Sequence, residues 1–428
     1  MPEITGLRAL RYSIQRFGQD FSNLIAPPYD VLDEADKAAL LRRSEYNIVA
    51  VDLPHVPPKT AGPDEVYAEA ARRLDTWRSS GVVIREEQPA LYVYHQRYTW
   101  NGKPFTRRKF FARMRLEAFG TGTVFPHEQT FGGPKEDRFK LMQATQCQLS
   151  AVFGLYSDPA NAVSELLDPR DRAPDITATM EDVENRIWIV TDPQVIDAVG
   201  SLMRDRPVYI ADGHHRYGTA LNYREWLTAK HGPLPLDHDA NFVLVGFCAM
   251  EDPGAVILPT HRVLADVGGA TPADVLAALG QGLELTPAPG LDPEAAVASD
   301  APHDLAIYVA SEDKLYTARF TQRDVLDTLA SDRSKPWRQL DLAYLHRYLI
   351  DELLTKGPLK GREPGIHYIK AADDAIQDAK ATGGIALLTK PCSMAELKAV
   401  SDAGDLMPQK STYFYPKLAT GFVINPLA

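Results

Sequence analysis

Hydrophobic and polar residues alternate along the chain with the two periods that mark helices and strands. Apolar residues recur every third or fourth position through residues 64–80, which predicts an amphipathic helix. Two strand-like runs, at 90–100 and 105–116, flank the dipeptide Asn101-Gly102. This dipeptide is typical of the turn between two antiparallel strands, so the pattern predicts a β-hairpin.

Shorter apolar runs and capping residues predict further elements. A second long helix is expected around 340–354, and Ser393 and Glu396 form a capping box at the start of another helix. The stretch 286–304 is rich in Pro, Ala and Asp and is expected to be a loop or linker. The remaining predicted strands lie at 45–54, 151–156, 186–191, 207–211, 242–250, 305–310, 315–320 and 384–389.

The length and the cysteines limit the class of protein. A chain of 428 residues is too long for one simple core, and the composition shifts after about residue 265. Cys147, Cys248 and Cys392 are too far apart for a disulfide framework or a zinc site, so each is predicted to be a small buried residue. No apolar run approaches the ~18 residues that span a bilayer, and the N-terminus lacks a secretory signal. We therefore expect a cytoplasmic protein without a membrane segment.

The net charge of −11 argues against a protein that coats nucleic acid, because such binding needs a dense Lys and Arg surface. The most basic stretch, Lys103–Arg115, alternates with Phe110, Phe111 and Met114 as a half-buried strand does. We expect small-molecule substrates rather than nucleic acid or membrane, and we leave open whether the chain forms a homo-oligomer.

A predicted strand turns abruptly into a predicted helix at Asp212-Gly213, and His214, His215 and Arg216 follow. Helix N-termini present N–H groups and a partial positive charge, and a glycine lets a phosphate approach the backbone. The arginine fork and the histidines make this turn a candidate phosphate cradle. The structural alternative, a plain turn before a solvated helix end, stays open. Zinc is disfavoured because adjacent helical side chains point about 100° apart.

The polar segment at 125–141, FPHEQTFGGPKEDRFKL, has too few apolar residues to be explained by packing. Within it, Lys135 and Arg138 are candidates to hold phosphate oxygens. Glu128 or Asp137 is a candidate to receive a proton or a magnesium ion. The alternative is a charged loop that leads into a helix.

Near the end of the chain, Lys410, Ser411 and Thr412 resemble the end of a phosphate-binding loop. The G-x-x-x-x-G spacing of the P-loop is missing, so that motif is absent from the sequence. The aromatic residues that follow are interpreted mainly as core, with stacking on a base as the alternative.

Two smaller features each have a functional and a structural interpretation. Asp30 ends a rigid Pro-Pro stretch that would fix its carboxylate in place, or it is the N-cap of a helix. His261 and Arg262 repeat the His-Arg pairing after another predicted strand.

Motifs over nearly the whole length resemble a broad bacterial and archaeal family long known as a domain of unknown function. They are IAPPYDV at 25–31, FPHEQT at 125–130, KEDR at 135–138, IADGHHRY at 210–217, LPTHRV at 258–263 and MPQKSTYFYPKL at 407–418. The DGHHR turn itself resembles the phosphate-binding signature of the ParB/sulfiredoxin superfamily. The resemblance implies an α+β fold, with a ParB-like mixed sheet and flanking helices at 1–265. A second, smaller α/β lobe is implied at 266–428, and its residues 405–418 would return to the site.

Through relatives that act as free-serine kinases, the resemblance implies phosphoryl transfer to L-serine from ATP, ADP or pyrophosphate, with Mg²⁺ as cofactor. His214, His215 and Arg216 would hold the donor phosphates, and Asp212 would support them or the metal. The implied phosphate-binding set is Asp212, Gly213, His214, His215, Arg216, Lys135, Arg138, His261, Arg262, Lys410, Ser411 and Thr412. The implied catalytic residues are Asp30, Glu128 and His215, the substrate contacts His127 and Thr130, and the Mg²⁺ ligands Asp137 and Asp212.

A ParB-type fold also serves proteins that do not catalyse phosphoryl transfer. The alternative function is therefore a non-catalytic ParB-like module that senses nucleotides or associates with DNA. The acidic net charge weighs against DNA.

Overall fold

The structure is a computed structural model that describes residues 2–58, 60–128 and 133–427, with only the backbone at 133–135. The chain divides into two compact units. The first contains Met1–Pro126, Thr130–Val256 and Pro416–Ala428, and the second contains His127–Gln129 and Ile257–Tyr415. The predicted division at residue 265 thus falls inside the second unit.

A large mixed sheet forms the centre of the first unit. Its strands and those beside it are β1 (Ile4–Thr5), β2 (Leu10–Tyr12), β3 (Val83–Arg85), β4 (Leu91–Trp100), β5 (Lys103–Arg115), β6 (Val124–Phe125), β7 (Cys147–Gln148), β8 (Val152–Tyr156), β9 (Ile176–Met180), β10 (Val183–Val190), β11 (Val208–Asp212) and β12 (Phe242–Ala249). The order across the sheet is β6-β11-β8-β12-β5-β4-β10-β9, and β1 pairs with β5. The pairs β6–β11 and β8–β12 are parallel, and the other pairs of this sheet are antiparallel. Strands β2 and β3 form a separate antiparallel pair.

Helices of the first unit pack beside this sheet. They are α1 (Ile14–Phe17), α2 (Glu34–Arg43), α3 (Val49–Asp52), α4 (Asp64–Ser79), α5 (Gly133–Thr145), α6 (Ala162–Leu166), α7 (Pro193–Met203) and α8 (His214–His231), with 3₁₀ turns at Tyr29–Val31 and Asp239–Asn241. Val199 of α7 and Tyr217 of α8 pack with Val245 and Phe247 of β12 in one buried cluster. Burial of such side chains contributes roughly 1.5–3 kcal/mol each, so this cluster anchors the start of α8 against the sheet.

The second unit contains an antiparallel sheet of its own, in the order β15-β17-β16-β19-β14-β18. The strands of this unit are β13 (Val256–Leu258), β14 (His261–Asp266), β15 (Leu283–Pro287), β16 (Leu305–Val309), β17 (Lys314–Phe320), β18 (Gly365–Ile369), β19 (Ile385–Thr389) and β20 (Tyr413–Tyr415). Its helices are α9 (Pro272–Leu279), α10 (Val325–Leu329), α11 (Lys335–Arg338), α12 (Asp341–Ala343), α13 (Ala372–Thr382) and α14 (Met394–Asp402), with a 3₁₀ turn at Ala295–Val297 and a π-helix at Tyr344–Thr355. Strand β13 pairs with β20. The last strand of the chain, β21 (Asn425–Pro426), belongs to the first unit and pairs with β7.

Several predicted elements are confirmed. Helix α4 and the hairpin of β4 and β5 have almost the predicted bounds, and Asn101 and Gly102 both have the positive φ that the turn requires. Ser393 and Glu396 form the predicted capping box of α14. The mixed α/β architecture is confirmed as well, whereas its ParB-like character stays a prediction.

The predicted strand at 45–54 is wrong, because Val49–Asp52 is a short helix. The β-branched residues of this run favour a strand locally. The side-chain oxygen of Asn47, however, accepts a hydrogen bond of 3.0 Å from the backbone N–H of Val49. This bond satisfies one of the N–H groups at the helix start and stabilises the helical turn.

The predicted burial of the cysteines is confirmed: Cys147, Cys248 and Cys392 are buried free thiols. Burial raises the pKa of Cys147 and of Cys248 to about 12, so both are protonated at neutral pH. Among the described residues, we find no helix whose length and apolar character suffice to cross a membrane.

Candidate functional site

The predicted strand, turn and helix around Gly213 are confirmed. Strand β11 ends at Asp212, Gly213 has φ +90°, and α8 begins at His214. Residues with a side chain rarely adopt this backbone conformation. In addition, a Cβ atom on Gly213 would lie 2.8 Å from Nε of Arg216. The turn therefore requires glycine, and the Arg216 side chain folds back over it.

Two cations hold the carboxylate of Asp212. Arg216 Nη2 donates to Asp212 Oδ2 over 3.0 Å, and Lys417 Nζ lies 3.5 Å from the same oxygen. Arg216 Nη1 donates to the carbonyl oxygen of Ala151. These bonds use two of the five N–H donors of the guanidinium, so Arg216 is oriented and retains donors for an anion.

Neighbouring charges keep the Asp212 carboxylate ionised. Burial alone would raise the pKa of Asp212, but Lys417, Arg216 and His214 lower it well below its usual range. Burial alone would lower the pKa of Arg216, but the surrounding groups, Asp212 first and then Asp30, raise it above its ordinary value. The start of α8 thus carries fixed charges at neutral pH, and Asp30 is one of the charges that act on Arg216.

Arg138 is a second buried guanidinium of the first unit. It donates to Asp137 Oδ2 over 2.7 Å, to the carbonyl oxygen of Asp52 over 2.6 Å and to Asp52 Oδ1 over 3.2 Å. Its Cζ atom lies 3.8 Å from the ring centroid of Tyr29, the residue before Asp30. Arg138 therefore anchors the segment that carries Asp30.

A small cavity of about 30 Å³ is lined by both guanidiniums, Arg138 and Arg216, and by Asp52. Burial raises the pKa of Asp52, and Arg138 and Arg216 counteract that effect in part. A cavity of this size suits about one water molecule. Both predicted phosphate-binding arginines border it, while most of its other lining is apolar, with Leu141, Met142 and Val152 among it.

The predicted magnesium ligands are engaged with other side chains. Asp137 Oδ1 accepts a hydrogen bond of 2.8 Å from the Tyr67 hydroxyl, and its other oxygen binds Arg138. Asp212 is paired with Arg216 and Lys417. In the part of the chain that the structure describes, no three His, Cys, Asp or Glu residues converge as a metal cage. These residues therefore do not fit a metal held by the protein alone.

The second unit contains another group of predicted residues. His127 Nε2 lies 2.7 Å from the hydroxyl oxygen of Thr412 and 4.0 Å from Glu128 Oε1. Ser411 is buried, and its hydroxyl donates to the carbonyl oxygen of Pro408. The His127 backbone oxygen accepts a hydrogen bond of 2.8 Å from Met407. These contacts tie the segment of Glu128 to the segment of Thr412, while the functional roles of both stay predictions.

Arg262 is completely buried in the second unit. Its donors are directed to the backbone oxygens of Thr260, Gln409 and Lys410 and to His346 Nε2. Lys410 itself is exposed and has φ +58°. These are the contacts of a residue that fixes a turn, and the predicted phosphate contact of Arg262 stays a prediction.

His261 is also completely buried, and its Nδ1 accepts a hydrogen bond of 3.1 Å from the backbone N–H of Thr389. Burial, followed by the charge of Arg262, lowers the pKa of His261 to about 4. The ring is therefore neutral at physiological pH and acts as an acceptor within the sheet. This arrangement accounts for His261 by packing, and its phosphate role stays a prediction.

Two predicted residues, Thr130 and the side chain of Lys135, lie outside the described residues. Conversely, no sequence pattern predicts a role for Lys417, Asp52 or Tyr29. The motif at 407–418 contains Lys417, but its resemblance to a phosphate loop lies in Lys410, Ser411 and Thr412. The roles of Asp52 and Tyr29 depend on folding that brings them to Arg138, which no local pattern reveals.

The family model described as "Protein of unknown function (DUF1015)" matches residues 4–343. The chain belongs to this DUF1015 family. No protein of the curated set matches the sequence.

Solved structures similar to this DUF1015 chain include a free serine kinase variant in complex with AMP. It has a TM-score of 0.35 and 12% identity, and the match covers 71% of this chain and 86% of that chain. A conserved hypothetical protein from Pyrococcus furiosus has a TM-score of 0.33 and 13% identity, covering 72% and 92%. SbnI with a C-terminal truncation, from Staphylococcus aureus, has a TM-score of 0.34 and 12% identity, covering 70% and 83%. At these TM-scores the similarity assigns no function to the chain.

Proposed function

We propose that this DUF1015 protein is a phosphotransferase that phosphorylates the hydroxyl of free L-serine, with ATP, ADP or pyrophosphate as donor. One observation carries the proposal: Arg216 is held at the start of α8, over a glycine turn, by a carboxylate that Lys417 also approaches. A helix N-terminus with an oriented guanidinium and an ammonium group is suited to a phosphate chain.

Donor binding would use the first turn of α8. Its backbone N–H groups and partial positive charge favour the phosphate oxygens, and His214 and His215 lie in that turn. Arg216 and Lys417 would neutralise charge that develops on the transferred and leaving groups. Such fixed charges are the main catalytic contribution in phosphoryl transfer, which asks for positioning and charge stabilisation.

The acceptor step needs one carboxylate to receive the serine proton. The bond between the donor's terminal phosphorus and its bridging oxygen breaks, and a bond forms between that phosphorus and the serine oxygen. The displaced phosphate or nucleotide departs as the leaving group, and the hydroxyl proton passes to the carboxylate. Asp30 is our candidate, because Arg138 anchors its segment and its charge acts on Arg216. Glu128 of the second unit is the alternative base.

Mg²⁺ remains part of the prediction as an ion that enters with the donor phosphates. Magnesium usually keeps several waters and takes only one or two protein carboxylates at such sites. The carboxylates of Asp137 and Asp212 are engaged with cations, so we assign no step to a metal held by them.

The test is a donor panel. Purified protein is incubated with L-serine, Mg²⁺ and one donor in each reaction: ATP, ADP or pyrophosphate. O-phosphoserine is then measured by mass spectrometry. Product with at least one donor supports the proposal, and no product with any of them refutes it. Nucleotide binding without turnover, or salt-sensitive binding to duplex DNA, would instead favour the ParB-like sensing or DNA-associated module.

A further inference from the structure

A row of buried polar residues crosses three neighbouring strands of the first unit. Asn185 of β10 lies opposite Gln96 of β4, and Gln96 lies opposite Arg107 of β5. All three are completely buried, and Lys109, two residues further along β5, is buried beside them. Polar groups inside a sheet are costly unless they are hydrogen-bonded, so the partners of this row identify its role.

The side-chain amide of Gln96 has a defined orientation. Its Oε1 accepts hydrogen bonds from Arg107 Nη2, over 2.6 Å, and from Lys109 Nζ. Its Nε2 faces two acceptors at 3.1 Å, Asn185 Oδ1 and the backbone oxygen of Lys417. With donors on one end and acceptors on the other, the reversed amide would lose its hydrogen bonds.

The row holds two successive carbonyl groups near the end of the chain. Arg107 Nη2 donates to the backbone oxygen of Pro416, and Gln96 Nε2 donates to that of Lys417. The proline ring restricts the backbone further. Lys109 lies 4.1 Å from the ring centroid of Tyr94, and burial followed by Arg107 lowers its pKa well below the ordinary value. Gln96, Arg107 and Lys109, which we call the clamp, are therefore shielded from solvent and closely packed.

We propose that Gln96, oriented by Arg107 and Lys109, is a positioning residue that delivers the ammonium group of Lys417 to Asp212. The side chain of Lys417 begins at the clamped backbone and ends 3.5 Å from Asp212 Oδ2, the oxygen that also orients Arg216. The clamp thus connects the centre of the sheet to the start of α8. Its consequence for donor binding rests on the proposed function.

The test begins with the variant Gln96→Glu. A glutamate retains an oxygen for Arg107 and Lys109 but cannot donate to the oxygen of Lys417. We expect the variant to fold and Lys417 to be released, so that an amine-reactive acetylating reagent modifies it at least about tenfold faster, as read by peptide mass spectrometry. Lys230, which lies in the last turn of α8 far along the helix, is the internal reference.

Two further variants separate positioning from general damage. Gln96→Met removes the donor without adding a charge and should release Lys417 in the same way. Gln148→Glu makes the same change in another buried glutamine, one that donates to the backbone oxygen of Phe242, and should leave Lys417 labelling unchanged. Equal labelling of Lys417 in wild type, Gln96→Glu and Gln96→Met would overturn the proposal.

Pyrophosphate binding, measured by calorimetry, then tests the link to the site. We expect Gln96→Glu and Lys417→Met each to weaken binding about tenfold, and the double variant to be no weaker than Lys417→Met. Additive losses would contradict a role for Gln96 through Lys417. If Lys417 is released but wild type does not bind pyrophosphate, the positioning stands and the proposed function fails.

Discussion

Asp212 ends β11 and Arg216 lies in the first turn of α8, and the carboxylate of the first accepts a hydrogen bond of 3.0 Å from the guanidinium of the second. The bond forms across Gly213, over which the arginine side chain folds. Because Asp212 is ionised and also paired with Lys417, the guanidinium is oriented before any ligand arrives. An oriented cation loses less conformational entropy when it binds an anion.

If Arg216 binds phosphate through its guanidinium, replacing it by lysine should weaken binding strongly even though the positive charge is kept. Arg216→Lys should weaken pyrophosphate binding on the order of a hundredfold, because an ammonium group cannot satisfy Asp212, the Ala151 oxygen and a phosphate together. Isothermal titration calorimetry measures the affinity. The matched control is Arg224→Lys on the same helix, where the guanidinium donates to the Leu116 oxygen. Wild-type affinity in Arg216→Lys would remove that residue from the site.

The conformation of Gly213 predicts a second effect. Gly213→Ala should lower the free energy of unfolding by about 1–3 kcal/mol, because φ is +90°, and should also displace Arg216 and abolish pyrophosphate binding. Gly232, at the other end of α8, has φ +85° and open space around its Cβ position. Gly232→Ala should therefore lose stability but keep binding. Denaturant unfolding and calorimetry are compared for both variants. An equal loss of binding in Gly232→Ala would show that backbone strain, and not displacement of Arg216, causes the loss of pyrophosphate binding.

The assignment of Asp30 as base predicts a change in turnover rather than affinity. Asp30→Asn should lower kcat for O-phosphoserine formation by a factor of about 10²–10⁴ and leave the KM of the donor nearly unchanged. Glu34→Gln, an exposed acidic residue at the start of α2, is the control and should retain wild-type kcat. If Glu128→Gln loses kcat and Asp30→Asn does not, the base is Glu128.

The features that the sequence could predict are those that depend on neighbours along the chain. Asp212, Gly213 and Arg216 lie within five residues, and glycine before an amphipathic pattern is sufficient to predict the turn and the start of α8. The capping box at Ser393 is local in the same way. Such signals are contained in short segments, so they can be identified without knowledge of the fold.

The features that the sequence could not predict depend on long-range contacts. Arg138 meets Asp52 across 86 residues, and Lys417, which contacts Asp212, accepts a backbone hydrogen bond from Gln96 across 321 residues. Likewise, the helix at Val49–Asp52 forms in spite of its β-branched residues, and its first N–H is bonded to the side chain of Asn47. In each case a tertiary or capping interaction outweighs the local pattern.

The buried His261 predicts that stability depends on pH. Its folded-state pKa is about 4, below its unfolded value of about 6.5, so the folded state excludes a proton that the unfolded state binds. The contribution is fully present above pH 6.5 and is lost as the pH falls from 6.5 towards 4. His261→Gln keeps an acceptor for the Thr389 N–H and does not titrate.

Between pH 7 and pH 5, the free energy of unfolding of wild type should therefore fall by about 2 kcal/mol more than that of His261→Gln. Urea unfolding at the two pH values measures both. His346, whose pKa burial and Arg262 lower to about 3, is unchanged in the variant and contributes equally to both proteins. Identical pH dependence of wild type and variant would refute the role of His261.

In the proposed reaction, a serine hydroxyl attacks a phosphorus atom held at the start of α8. The most direct measurement uses L-serine labelled with ¹⁸O at its hydroxyl, and follows the products by ³¹P nuclear magnetic resonance with wild type and Arg216→Lys. We expect O-phosphoserine that retains ¹⁸O in the oxygen bridging carbon and phosphorus, with a large loss of rate in the variant. Release of inorganic phosphate alone, or O-phosphoserine formed equally fast by Arg216→Lys, would contradict it.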